Sequence, residues 1–68
     1  MIIDVIWVLI LLTIQPNGED SVHTVMMATR HECRIRRSEA LATFEDAQKY
    51  QKFGYAAECV PVEMLKPR

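Results

Sequence analysis

The stretch that decides the fold is MIIDVIWVLILLTI, residues 1–14, in which twelve of the fourteen residues are apolar. A membrane-spanning helix needs about 20 apolar residues, whereas this run is shorter and is interrupted by Asp4. A signal peptide needs a basic start and a small-residue cleavage site, and this run has neither. Most of its residues are β-branched or aromatic, which favours a buried strand over a membrane anchor or a signal.

Both faces of this strand are apolar. Ile6 and Val8 begin one alternating set, and Val5, Trp7 and Leu9 belong to the other. A strand that is apolar on both faces is typically covered on both faces. We therefore expect residues 1–14 to form the central strand of a sheet.

The next segments predict a hairpin and then a helix. Residues 16–20 (PNGED) contain Asn-Gly, a strong turn signal, and residues 21–28 are predicted to form the return strand. Thr29 and the glutamate three positions later have the spacing of a capping box. Apolar residues at helical spacing then predict a helix over residues 30–53, ended by Gly54.

One alternative remains open for the middle of the chain. Residues 32–37 alternate apolar and charged side chains, so they can also be interpreted as a strand, with a helix that begins only at Thr43. Residues 55–62 predict the last strand. Because Pro61 cannot donate a backbone hydrogen bond, this strand is expected at an edge of the sheet.

The order β-β-α-β predicts a single small domain over residues 1–68 with an α+β fold. We expect a three-stranded, mainly antiparallel sheet of order 2-1-3, with one helix packed on one face. One helix cannot cover both faces, and we expect the uncovered face to be the one that carries Trp7. Such an apolar face needs a protein partner, and a two-fold homodimer is the expected solution.

Two cysteines, Cys33 and Cys59, are candidates for a disulfide. Both are expected at the interface between the helix and the sheet, where they could equally be buried free thiols. A straight helix over residues 30–53 could carry Cys33 beyond reach of Cys59. Bridging would then need a bend in the helix, for example near Ser38.

A basic cluster provides the candidate binding site. Arg30, Arg34 and Arg37 line one side of the predicted helix. Trp7, on the sheet face expected to stay uncovered, is a separate candidate for contact with a partner. The cluster could contact an acidic protein surface or phosphates, or it could be a solvated face neutralised by neighbouring glutamates. The net charge of −1 gives no bulk argument for nucleic acid, and the cluster lacks interleaved exposed aromatic residues, so we do not expect nucleic acid as the partner.

Motifs that would carry catalysis are missing from the sequence. It has no glycine-rich phosphate loop, and it places no His, Asp or Asn to form a catalytic pair with Cys33. His31 and Cys33 are two residues apart, so on a helix they point in different directions and do not form a metal pair. We therefore expect no enzymatic activity, no cofactor and no metal site.

Several short segments spread over most of the chain together suggest a source. They are WVLI at residues 7–10, Met26 in the return strand, T-x-x-E-C at residues 29–33 and ECVP at residues 58–61. In this combination the chain resembles small proteins encoded by phages and prophages of proteobacteria. That group has no established activity, so the resemblance implies a source and a fold but no catalytic residue.

The function expected from the sequence is non-enzymatic. We expect a small protein-binding module, a phage accessory protein that inhibits or redirects a host protein in the cytoplasm of the host cell. One alternative is a structural component of a larger assembly such as a virion. Another alternative is a membrane-associated small protein anchored by residues 1–14.

Overall fold

The computed structural model describes the backbone of residues 2–66 and the side chains of residues 4–65. Its elements, in chain order, are β1 (Ile2–Ile14), β2 (Asp20–Met27), α1 (Arg30–Ala47) and β3 (Gly54–Lys66). They form a three-stranded antiparallel sheet of order β2-β1-β3 with one helix, which confirms the predicted α+β fold. The Cα trace measures 50 × 23 × 10 Å. Its smallest dimension corresponds to the thickness of one sheet with one helix packed on it.

The central strand is β1, and it is antiparallel to both of its neighbours. It pairs with β3 along its whole length, from Ile2 opposite Lys66 to Ile14 opposite Gly54. Its pairing with β2 covers only Trp7 to Ile14, because β2 ends at the residue opposite Trp7. Residues 2–6 of β1 and their partners in β3 therefore form a two-stranded arm that extends beyond β2.

The hairpin between β1 and β2 closes through the predicted Asn-Gly turn. The N–H of Gln15 donates to the carbonyl of Glu19 at 2.7 Å, and the N–H of Gly18 donates to the carbonyl of Gln15 at 2.9 Å. Gly18 has a φ of +90°, a conformation that residues with a Cβ rarely adopt. The side chain of Asn17 accepts a hydrogen bond from the N–H of Glu19 at 3.0 Å. The turn chemistry thus fixes where β1 ends.

The first turn of α1 forms as the capping signal predicts. Thr29 is extended (φ −129°, ψ 152°), and its hydroxyl oxygen accepts from the N–H of Glu32 at 3.1 Å. This bond satisfies one of the amide groups that the first turn of a helix leaves without an internal partner. The helix begins at Arg30, so the alternative with a strand over residues 32–37 and a helix from Thr43 is wrong.

The helix ends earlier than predicted, at Ala47 rather than at residue 53. Phe44 and Phe53 are nine positions apart, so a continuous helix would place them about 180° apart around its axis. The chain instead leaves the helix after Ala47, and the Gln48 side chain donates a hydrogen bond to the carbonyl of Phe53. Phe53 can then pack with Phe44 and Tyr55 in a three-ring cluster with centroids 5.3–6.0 Å apart.

The last strand is longer than predicted. Gly54, which was expected to end the helix, begins β3, and the strand continues to Lys66 rather than stopping at residue 62. The extension follows from β1, which offers β3 a partner as far as Ile2. β3 pairs on one side only, so Pro61 does lie at an edge, opposite Trp7. The return strand β2 is shifted by one residue from the predicted 21–28.

The small hydrophobic core lies between α1 and one face of the sheet. Its buried members in the described part of the chain are Leu9, Met27, Cys33 and Ala57. Four partly buried residues pack against them, namely Trp7, Leu11, Leu41 and Cys59. Because odd-numbered residues of β1 face the helix, the prediction that Trp7 lies on the uncovered face is wrong. The small side chains on this face of β3 let α1 approach, whereas its other face carries bulkier valines.

Candidate functional site

The predicted binding residues lie together in the structure. Trp7, Arg30, Arg34, Arg37 and Cys59 line a concave pocket of about 220 Å³, which we call the arginine pocket. The three arginines fall within an arc of about 60° on α1, since they are spaced four and three residues apart. This side of the helix faces β3, and the pocket opens where α1 begins above the middle of that strand.

Trp7 and Arg30 form a direct contact at one end of the arginine pocket. The guanidinium carbon of Arg30 lies 5.8 Å from the centroid of the Trp7 ring, within the range of a cation–π interaction. At a site this exposed the contact contributes about 0.5–1 kcal/mol. Trp7 is half-buried and packs against the core, so its ring offers Arg30 a partly supported surface.

The charges on α1 are distributed unevenly between its two sides. On the side facing β2, Arg36 pairs with Glu39 at 3.4 Å. By contrast, Arg30, Arg34 and Arg37 have no carboxylate within ion-pair distance anywhere in residues 4–65. Within residues 4–65, the arginine pocket therefore holds three guanidinium groups that form no ion pair with a carboxylate.

A disulfide joins Cys33 to Cys59, with the two Cα atoms 6.1 Å apart. Cys33 is fully buried in the first turn of α1, and Cys59 is half-buried and lines the arginine pocket. The bond needs no break near Ser38, because α1 runs continuously from Arg30 to Ala47. The helix starts directly above Cys59, so a straight helix reaches it. The bond fixes the arginines relative to Trp7.

The second candidate surface is the side of the sheet that α1 does not cover. We call it the open face; it consists of the even-numbered side chains from residue 4 to 14, 20 to 26 and 54 to 64. Met26 is 73% exposed and Val22 is 59% exposed. The other exposed large apolar residues on this face are Ile14, Val60, Val62 and Met64.

The acidic side chains on the open face are few. Glu58 lies on β3, opposite Ile10 in the register, and Asp4 and Asp20 lie near the two ends of the face. Thr24 flanks Ile10 on the β2 side. The centre of the face is thus an apolar stripe with polar groups at its edges, an arrangement typical of protein interfaces.

The valines and methionines of the open face were not predicted as a binding surface, because Trp7 was expected on that face. A signal was present in the two cysteines. If Cys33 and Cys59 are bonded, Cys59 must point toward the helix, and Val60 must then point away from it. Both cysteines were expected at the interface between the helix and the sheet, but which face of β1 lies on that side depends on the register of β1 with β3.

Other chemistry-bearing groups are dispersed. Glu58 lies on the open face and Glu63 on the helix side, because strand residues of opposite parity point to opposite faces. Asp46 pairs with Lys49 at 3.2 Å. Across residues 4–65, no three His, Cys, Asp or Glu side chains are grouped as a metal site would require.

The remaining findings concern the membrane and known proteins. Within the part of the chain that the structure describes, no helix is long and apolar enough to span a bilayer. Residues 2–14, part of the anchor in one sequence-based alternative, form the central strand.

Searches against protein-family models, curated proteins and solved structures found no match for this chain. Function is therefore inferred from the two surfaces described above.

Proposed function

We propose that this protein is a small non-enzymatic protein-binding module that acts as a two-fold homodimer, with the open face as the dimer interface. The observation that carries the proposal is the exposure of the apolar side chains on that face, including Val22 and Met26. Apolar surface of this extent on a small protein commonly marks an interaction site. The same patch on two copies can pack against itself about a two-fold axis.

The dimensions of the sheet support a dimer of this kind. Strands of 13, 8 and 13 residues give a face on the order of 550 Å² in projection, at about 3.3 Å per residue and 4.8 Å between strands. Two copies would then bury about 1,100 Å², just above the ~1,000 Å² expected of a specific interface. Packing would also cover the second apolar face of β1, which a single copy leaves in water.

The resemblance to phage and prophage proteins gives the module its biological setting. In a dimer joined through the open faces, both helices and both arginine pockets point outward. Each pocket can then contact a host protein, as expected of an accessory protein that inhibits or redirects its target. We place the module in the cytoplasm of the host cell. The Cys33–Cys59 bond opposes this placement, because disulfides are rare in that compartment.

A structural role in a larger assembly is the second candidate, and a different observation favours it. Residues 2–6 of β1 lack a strand partner on the β2 side. Such an edge can accept a strand from a neighbouring subunit, and repeated addition gives an open assembly rather than a closed dimer. The two candidates therefore differ in whether association stops at two copies.

The experiment is size-exclusion chromatography with light scattering over a range of micromolar concentrations. We expect twice the chain mass of 7.9 kDa for the unaltered protein. Met26→Glu places a carboxylate on the open face, next to Val8 in the middle of β1, and should weaken dimerisation about hundredfold or more. Val25→Glu is the matched control, since Val25 is 44% exposed but lies on the other side of β2.

Three results would change the conclusion. A monomer for the unaltered protein at every concentration would refute the dimer. Equal weakening by Met26→Glu and Val25→Glu would show that the open face is not the interface. Masses that continue to grow with concentration would favour the structural assembly.

A further inference from the structure

We propose that the arginine pocket binds the side-chain carboxylates of an acidic peptide segment on the target protein. This inference rests on the proposed function, because it names the chemistry of the partner that the module recognises. It starts from the three guanidinium groups of Arg30, Arg34 and Arg37, which have no carboxylate partner within residues 4–65. Guanidinium groups form paired, charge-assisted hydrogen bonds with carboxylates.

The spacing of the arginines suits a peptide in extended conformation. Along the helix axis, Arg30 and Arg34 are about 6 Å apart, and Arg34 and Arg37 are about 4.5 Å apart. Acidic residues at alternate positions of an extended peptide project to one side at intervals of about 6.6 Å. Two such carboxylates can therefore reach two neighbouring arginines without bending the peptide.

The walls of the arginine pocket strengthen these contacts. The Trp7 ring holds Arg30 in place at 5.8 Å, and the disulfide at Cys59 fixes α1 over β3. Arg37 is half-buried, so its side chain has less freedom than a fully exposed arginine. Donors that are already positioned lose less conformational entropy on binding than free surface arginines do.

Several features favour a peptide over nucleic acid. A pocket of about 220 Å³ is smaller than the 300–1,000 Å³ typical of sites for whole small-molecule ligands, and it suits individual side chains. One aromatic ring, that of Trp7, lines the pocket, and Arg30 lies over it, which hinders base stacking. Glu45 lies three helical turns beyond Arg34, and Glu63 lies beyond Trp7 on the same side of the sheet. These acids would repel a long polyanion but leave room for a short acidic segment.

The test uses Trp7, the single tryptophan of the chain, as a fluorescent reporter inside the arginine pocket. Capped hexaglutamate and hexaglutamine peptides are titrated separately into the full-length protein at low salt. Inorganic phosphate and a short oligothymidine are then added as competitors. We expect a saturable change in Trp7 emission with hexaglutamate, weakened by added salt, and no saturable change with hexaglutamine.

Two variants locate the site. Arg34→Gln should weaken hexaglutamate binding about tenfold or more, since it removes a charged hydrogen-bond donor. Arg36→Gln is the matched control, because Arg36 lies on the β2 side of the same helix and pairs with Glu39. It should change binding by less than about twofold. Circular dichroism of both variants checks that the fold is retained.

The inference is overturned if hexaglutamine binds as well as hexaglutamate, or if Arg36→Gln weakens binding as much as Arg34→Gln. It is also overturned if phosphate or oligothymidine displaces hexaglutamate at a lower concentration than hexaglutamate itself needs in order to bind.

Met26→Glu is titrated in parallel to separate this inference from the dimer. Hexaglutamate binding by an unaltered protein that is monomeric at every concentration would support the pocket and refute only the dimer. A dimer that does not bind hexaglutamate would refute only the pocket.

Discussion

Reducing the Cys33–Cys59 bond should lower the free energy of unfolding by about 3.5 kcal/mol. The bond joins residues 26 positions apart, and the loss of chain entropy in the unfolded state for a loop of that length gives about this value. A chain of 68 residues typically has a total stability of roughly 3–10 kcal/mol. The bond is therefore expected to supply a large part of the stability of this protein.

The Cys33→Ala/Cys59→Ala variant separates the cross-link from the packing of its sulfur atoms. Reduction breaks the bond but keeps both sulfurs in place. The double variant also removes the sulfur of Cys33, which is 0% exposed, and leaves a small cavity. We expect it to be about 1 kcal/mol less stable than the reduced protein.

The assay is urea denaturation followed by circular dichroism, on the oxidised protein, the protein reduced with a phosphine, and the double variant. All three are compared at one protein concentration, because dimerisation would make stability depend on concentration. A loss of less than about 1 kcal/mol on reduction would contradict the loop-entropy argument. It would mean that the contacts of α1 with the sheet, and not the bond, hold the helix in place.

Two further predictions concern the ends of α1. Thr29→Ala should lower the free energy of unfolding by about 1 kcal/mol, because the N–H of Glu32 loses its acceptor. Thr29→Ser keeps a hydroxyl acceptor and should retain most of the stability. Urea denaturation of both variants measures the difference, and equal losses would contradict the capping role. Phe44→Ala should lower the free energy of unfolding by about 2 kcal/mol, because it opens the three-ring cluster. Tyr50→Ala is the control: Tyr50 is 88% exposed, so this change should alter the free energy of unfolding by less than about 0.5 kcal/mol. Thermal unfolding of these two variants measures the difference, and similar effects would mean that the cluster does not stabilise the end of the helix.

Features that depend on neighbouring residues could be predicted from the sequence. The β-branched residues of 1–14 indicated the central strand, and Asn17-Gly18 indicated the turn that ends it. Thr29 indicated the start of the helix, and Pro61 indicated an edge strand. Each of these signals acts through backbone dihedral angles or hydrogen bonds within a few residues, so it can be detected without knowing the rest of the fold.

The end of the helix could not be predicted in this way. Local propensity and Gly54 favoured a helix through residue 53, but in the structure Phe53 lies outside the helix and packs against Phe44 and Tyr55. Tyr55 belongs to β3, so this contact exists only once the sheet has formed. The far end of β3 was missed for a similar reason, because Lys66 extends the strand only where Ile2 of β1 offers a partner.

The arginine pocket could be predicted only in part. The helical spacing placed Arg30, Arg34 and Arg37 on one side of the helix from the sequence alone. That this side faces β3, and that Trp7 lies beneath Arg30, depended on which face of the sheet the helix covers. The sequence offered two apolar faces of β1 for that role, and hydrophobicity did not distinguish between them.

The sequence by itself determined the order of the elements, the central position of β1 and the presence of one sheet face that a single helix cannot cover. These follow from the apolar pattern and from signals that act over a few residues. The tertiary structure alone decided that Trp7 lies under the helix and that Val22 and Met26 lie in the open. That choice depends on the register of β1 with two distant strands and on the bond between Cys33 and Cys59. A shift of one residue in that register would exchange the two faces, so no local pattern could fix it.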